Sequence, residues 1–117
     1  MKGEDFKLPF AISFNVVCEK WIFRFLIKGK MDRKEFVGWL KRKFPQSKLL
    51  RLILEKLELM NEDPFKYARE KLGTDKYGNP MFSIEVTKDI RILYSVDSKN
   101  CIVFIWEIGP HKKVYGR

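Results

Sequence analysis

MFSIEVTKDIRILYSVDSKNCIVFIWEIGPHKKVYGR, residues 81–117, holds three short apolar runs separated by turn-forming residues. In the first, Phe82, Ile84 and Val86 alternate with Ser83, Glu85 and Thr87, the two-residue period of a strand with one buried face. In the second, Ile90, Ile92, Tyr94 and Val96 take one face and leave Arg91, Leu93 and Ser95 on the other. Arg91 is therefore held on a sheet. Asp97-Ser98-Lys99-Asn100 has turn chemistry, and the run from Cys101 to Gly109 is apolar on both faces, as expected of a central strand covered on both sides. Gly109-Pro110 ends it. His111, Lys112, Lys113 and Tyr115 follow within five positions, so a rigid sheet delivers an imidazole, two amines and a phenol to its rim. Pairing of the last two strands as a hairpin would bring Arg91 beside them.

Upstream of this sheet, Gly73 and Lys76-Tyr77-Gly78-Asn79-Pro80 form a turn-rich link. Before it, Leu50, Ile53, Leu54, Leu57 and Met60 recur at near-helical spacing from Ser47, and Asn61-Glu62-Asp63-Pro64 stops that helix, with a short helical turn expected over 65–72. Asp32 can cap an earlier helix striped by Phe36, Val37, Leu40 and Phe44, closed by Pro45 after Lys41-Arg42-Lys43. These two helices should form a hairpin. Between Val16 and Lys28 two readings stand: Cys18, Trp21, Ile22, Phe25 and Leu26 fit a helix opened by Asn15, whereas Trp21, Phe23, Phe25 and Ile27 alternate as in a strand. Leu8–Phe14 alternates and reads as a first strand, after a polar stretch over 1–7. The expected class is α+β: one domain with a small antiparallel sheet, an N-terminal strand plus three C-terminal strands, packed on a helical hairpin.

At 117 residues, 45% apolar and 15% aromatic, the chain can bury a core without staples. Its net charge is +9, and residues 20–51 alone account for it, with eleven Lys and Arg against Asp32 and Glu35. Such an imbalance favours a polyanionic partner, nucleic acid or an acidic protein. Cys18 and Cys101 lie in apolar surroundings with no CxxC partner or histidine cluster, so buried thiols are expected and no metal site. No cleavable signal is evident. The run from Trp21 to Ile27 is broken by Arg24 and too short to span a bilayer, which points to a soluble protein of the cytoplasm with no membrane partner.

Over residues 48–117 the chain resembles the RelE/ParE superfamily of toxin–antitoxin toxins. The likeness is carried by LEKLELMNEDP, the Lys71-Leu72-Gly73 turn, DIRILYSVD with its Arg91-x-x-Tyr94, and IWEIGPHKKVYG with its basic tail ending in Tyr115. The resemblance implies a sheet packed on a helical hairpin and, in the RelE branch, a basic concave surface that enters the ribosome and cuts mRNA, with a cognate antitoxin as neutralising partner. Residues 15–47 exceed the usual first helix of that family.

Cutting RNA without a metal or cofactor needs a base for the 2′-hydroxyl, positive charge on the phosphorane, and an acid for the departing 5′-oxygen. By resemblance, Arg91 clamps the scissile phosphate. His111 acts as base or acid, with an unperturbed pKa near ~6.5, but as the sole histidine it fills one role. Lys112 and Lys113 stand where relatives often carry arginine, their crowded amines lowering each other's pKa. Tyr115 stacks on a base or assists proton transfer. Lys71, Lys76, Lys88 and Arg51 are candidate RNA contacts, with Lys71 and Lys76 first of all solvated charges. Glu85 departs from the lysines some relatives place on this strand, as a general base or as the mark of a relative poor in cleavage. Two other classes stand beside the ribonuclease: a ParE-like inhibitor that binds DNA gyrase, and a basic RNA-binding module without catalysis.

Overall fold

The computed structural model describes residues 18–110. The expected strand over 8–14 and the tail residues His111, Lys112, Lys113 and Tyr115 lie outside them. In chain order the elements are β1 (Ile22–Phe25), α1 (Arg33–Lys43), α2 (Ser47–Glu62), β2 (Glu70–Thr74), β3 (Pro80–Glu85), β4 (Ile90–Asp97) and β5 (Ile102–Pro110).

Local chemistry sets the helix ends. Asp32 accepts from the Glu35 amide at 2.8 Å while the Glu35 carboxylate accepts from the Asp32 amide at 3.0 Å, a reciprocal cap that satisfies two orphan donors. Lys41, Arg42 and Lys43 occupy the last turn of α1, where cations complement the helix dipole. Pro45 sits in the three-residue link to α2, and Asp63 ends α2 with its amide bonded to the Leu59 carbonyl at 3.0 Å.

The sheet has five strands in the order β1-β5-β4-β3-β2, antiparallel throughout except that β1 runs parallel to β5. Two expectations are corrected here. The sheet is mixed, because the 16–28 segment contributes a strand whose Phe23 and Phe25 pair beside Val103 and Ile105. Residues 65–72 are not a helix: 64–67 turn, and Glu70–Thr74 is the second edge strand. Ala68, Arg69, Glu70, Lys71 and Leu72 are good helix formers, yet pairing with β3 overrides that preference. Gly73 at φ +83° takes a left-handed conformation that another residue would resist, in the irregular stretch of that pairing.

Both helices pack on one face. Phe25 stacks on Phe36 of α1 with ring centroids 3.9 Å apart, and the core runs from Phe36, Leu40, Ile53 and Met60 to Ile92, Tyr94, Val103, Ile105 and Ile108. Tyr94 is fully buried and donates to the Pro64 carbonyl at 2.6 Å, fastening the end of α2 to the middle of the sheet. A bulge at Trp106 shifts the register, so that Leu93 faces Glu107 while Tyr94 faces Ile105. That shift returns Ile108 to the core and leaves Arg91, Leu93, Ser95, Phe104 and Glu107 on the second face.

A disulfide joins Cys18 to Cys101, with Cα atoms 5.7 Å apart. The expectation of two buried thiols fails because the parallel pairing of Ile22 with Ile102 places the residues just before both strands side by side, and both cysteines are only half-buried. No helix among the described residues is long and apolar enough to cross a membrane.

Candidate functional site

Arg91 opens β4 on the face away from the helices, paired with Glu85 of β3 on one side and Gly109 of β5 on the other. Its side chain is 10% exposed. Nη1 donates to the carbonyls of Thr87 at 2.7 Å, Lys88 at 2.9 Å and Ile90 at 3.4 Å, so this nitrogen closes the turn between β3 and β4. Thr87 closes the same turn from within, its hydroxyl accepting from the Asp89 and Ile90 amides. Nη2 faces the Glu85 carboxylate at 3.7 Å, and Nε is buried without a partner. Nε and Nη2 form the edge of a guanidinium that grips a planar carboxylate or two phosphate oxygens. The turn thus uses one end of the group and leaves the anion-gripping edge facing a single acid.

Glu85 also lies 3.9 Å from Nη1 of Arg69, which is exposed just before β2. The row Arg69, Glu85, Arg91 runs across the sheet with its carboxylate in the middle. Beside it is a cleft of about 330 Å³ between Lys56 of α2 and Tyr67, Arg69 and Glu85. Sequence reasoning missed Arg69, which looked like part of a helical turn. Its only signal was the turn chemistry of Asp63, whose carboxylate accepts from the Phe65 and Lys66 amides and redirects the chain.

The other expected contacts do not converge here. Arg51 is an exposed residue of α2 at 3.9 Å from Glu55, a solvated pair. Lys71 pairs beside Phe82 and so belongs to the opposite face from Arg91. Lys88 is exposed in the turn, its carbonyl held by Arg91. Lys76 lies at the tip of the β2–β3 hairpin, its amine 5.4 Å from the Tyr77 ring and 5.9 Å from that of Trp106. The last described residue, Pro110, pairs with Ile90 next to Arg91.

The basic segment has its own relief. Arg33, Lys34 and Lys41 of α1 line a shallow depression of about 590 Å³ with Val37 and Gly38. Among the described residues no group of three or more His, Cys, Asp or Glu side chains gathers as a metal site would.

Compared with known protein families and with curated protein sequences, the chain matches none.

Proposed function

We propose that the chain is the toxin of a toxin–antitoxin module, of the RelE type, and that it cuts translated mRNA on the ribosome by metal-independent chemistry. The observation that carries this reading is Arg91 itself, paired with Gly109 near the end of β5 and holding a guanidinium whose anion-gripping edge is free of backbone partners. Arg91 would stabilise the phosphorane, while His111 and the amines of Lys112 and Lys113 would move the protons, with Tyr115 against a base. Glu85 holds the place in front of Nη2 that a phosphate oxygen would take, and the same carboxylate oxygen lies 3.9 Å from Nη1 of Arg69. The antitoxin, the ribosome and mRNA are the partners of this reading, and the cytoplasm is its compartment.

The anchoring of Nη1 in its own turn favours a second reading, a basic RNA-binding module in which Arg91 serves the fold alone. Inducible expression of the wild type, Arg91→Ala and Tyr115→Phe, with growth followed and new mRNA 5′ ends mapped, separates the two. The nuclease gives growth arrest with cuts inside translated frames, reduced roughly 10²–10³-fold in Arg91→Ala as for loss of one charge-stabilising donor. Because the turn depends on Arg91, thermal unfolding of that variant is measured in parallel. Arrest with intact mRNA points instead to a protein target such as gyrase.

A further inference from the structure

On the same face as Arg91, at the other end of β4, three aromatic rings meet. Tyr77 lies 5.7 Å from Phe104 and 6.2 Å from Trp106, and Phe104 lies 6.3 Å from Trp106, with all three pairs inclined by 34–37°. Tyr77 is 60% exposed, the most open large apolar side chain among the described residues. An unsupported phenol at a hairpin tip would sample many rotamers, but this one is held from below.

Asp75 accepts from the Tyr77 amide at 2.8 Å and the Asn79 amide at 2.9 Å, which fixes the tip, and from the Ser95 hydroxyl at 2.6 Å, which fixes the tip to the sheet. Ser95 in turn accepts from the indole Nε1 of Trp106 at 2.8 Å. Ser95 is fully buried, so this chain of hydrogen bonds is shielded from water. Burial opposes ionisation of Asp75, yet its hydrogen bonds from Ser95, Asn79 and Tyr77 outweigh that and hold the carboxyl below its usual value. The network orients two of the three rings and leaves their outer surface unfilled.

Cations flank the rings. Lys76 is poised over Tyr77 and Trp106, and Arg24 of β1 is the register partner of Phe104, exposed on the same face. Rigid rings bordered by an amine and a guanidinium match a single-stranded nucleic acid, whose bases offer π-faces and whose phosphates offer charge. A peptide adding as a further strand is not open to β5, because β1 and β4 occupy both its sides.

The geometry points to a base-stacking subsite for single-stranded RNA formed by Tyr77, Phe104 and Trp106, with Lys76 and Arg24 meeting the adjoining phosphates. An incoming base takes the ring face over which the Lys76 amine lies, and the amine moves to phosphate. Ser95 lies four positions beyond Arg91 on the strand, about 13 Å, so the subsite flanks the phosphate held at Arg91. It deepens the ribonuclease reading, resting on RNA being the ligand, and adds a place where the identity or spacing of a neighbouring nucleotide is felt.

The test is equilibrium binding of a 5′-fluorescein-labelled ten-nucleotide oligoadenylate, followed by anisotropy at fixed salt, to the wild type, Tyr77→Ala, Tyr77→Phe and Lys76→Ala. Loss of one stacked base corresponds to binding roughly 5- to 150-fold weaker in Tyr77→Ala, while Tyr77→Phe keeps the ring and stays within about twofold. Lys76→Ala weakens binding and lowers its salt dependence by about one phosphate contact. Thermal midpoints of all four proteins verify that the exposed ring is not needed for folding. Wild-type affinity in Tyr77→Ala overturns the subsite and leaves the ribonuclease reading standing. No binding of the oligoadenylate by the wild type overturns the subsite, whereas the ribonuclease reading stands or falls on the mapped mRNA 5′ ends. Self-association of the wild type that Tyr77→Ala abolishes would make the rings a contact between copies, and overturns the subsite as well.

Discussion

Arg91 and Tyr94 sit three positions apart on one strand and point to opposite faces, and each is committed to backbone carbonyls. Arg91 spends one nitrogen on its own turn, whereas Tyr94 spends its hydroxyl on Pro64, 30 residues away. Burial raises the Tyr94 phenol well above its ordinary value, and the nearby charge of Asp63 raises it further. Its stabilisation is therefore whole below the unfolded value near ~10 and is lost only as pH climbs past it. Tyr94→Phe keeps the ring against Phe82 and leaves the Pro64 carbonyl without its donor, so it should cost about 1–3 kcal/mol, read as a lower denaturant midpoint at unchanged slope. The alternation of Ile90, Ile92, Tyr94 and Val96 made the face of both residues legible in the sequence. What Arg91 binds was not legible, because its partners are carbonyls of residues whose side chains give no hint of it.

At the scale of elements, strands with strict alternation could be read directly, and those defined by their partners could not. β3 and β4 announce themselves; β2 does not, since Lys71 and Leu72 suit a helix until β3 is there to pair with them. β5 was recognised as a strand but its bulge was hidden, because Ile105, Trp106 and Ile108 are apolar whichever way they point. The aromatic cluster was missed for that reason. The β2–β3 hairpin yields a prediction at this scale. Asp75 ties its tip to Ser95 as a carboxylate, and a folded value below the unfolded one near ~3.9 means that the stabilisation is complete above that pH and disappears as pH falls through the folded value. Thermal midpoints followed from pH 6 to pH 2 should therefore fall more steeply for the wild type than for Asp75→Asn, with the curves converging in acid. Parallel curves would show that the carboxylate does not hold the tip.

For the molecule as a whole, the charge concentrated over 20–51 is spread from Lys20 and β1 through the link after it and α1 to the start of α2, and not around Arg91 alone. The Cys18–Cys101 cross-link closes a separation of 83 residues. Opening so long a loop typically costs about 2–5 kcal/mol, so a reductant should lower the thermal midpoint of the wild type and leave Cys101→Ser unchanged. Cys101 also has φ 57°, a left-handed conformation disfavoured for a side chain with a Cβ, and serine inherits it. The compartment of the proposed reading, the cytoplasm, keeps thiols reduced, so under that reading the activity resides in a chain whose β1 is held by β5 without the covalent bond. Arrest of growth by Cys101→Ser as strong as by the wild type is the expected result.

The parallel pairing of β1 with β5 also sets an order of assembly. Both helices and the β2–β3–β4 meander contact neighbours close in sequence and can form as they leave the ribosome, whereas Ile22–Phe25 has no strand to join until Ile102–Pro110 has been made. Until then the first strand of this sheet is an unpaired aromatic ribbon, and the face that carries Arg24, Phe104 and Arg91 does not exist. A chain built this way completes that face only when β5 joins β1 to β4, so a nascent chain stalled before β5 is left with an unpaired aromatic edge.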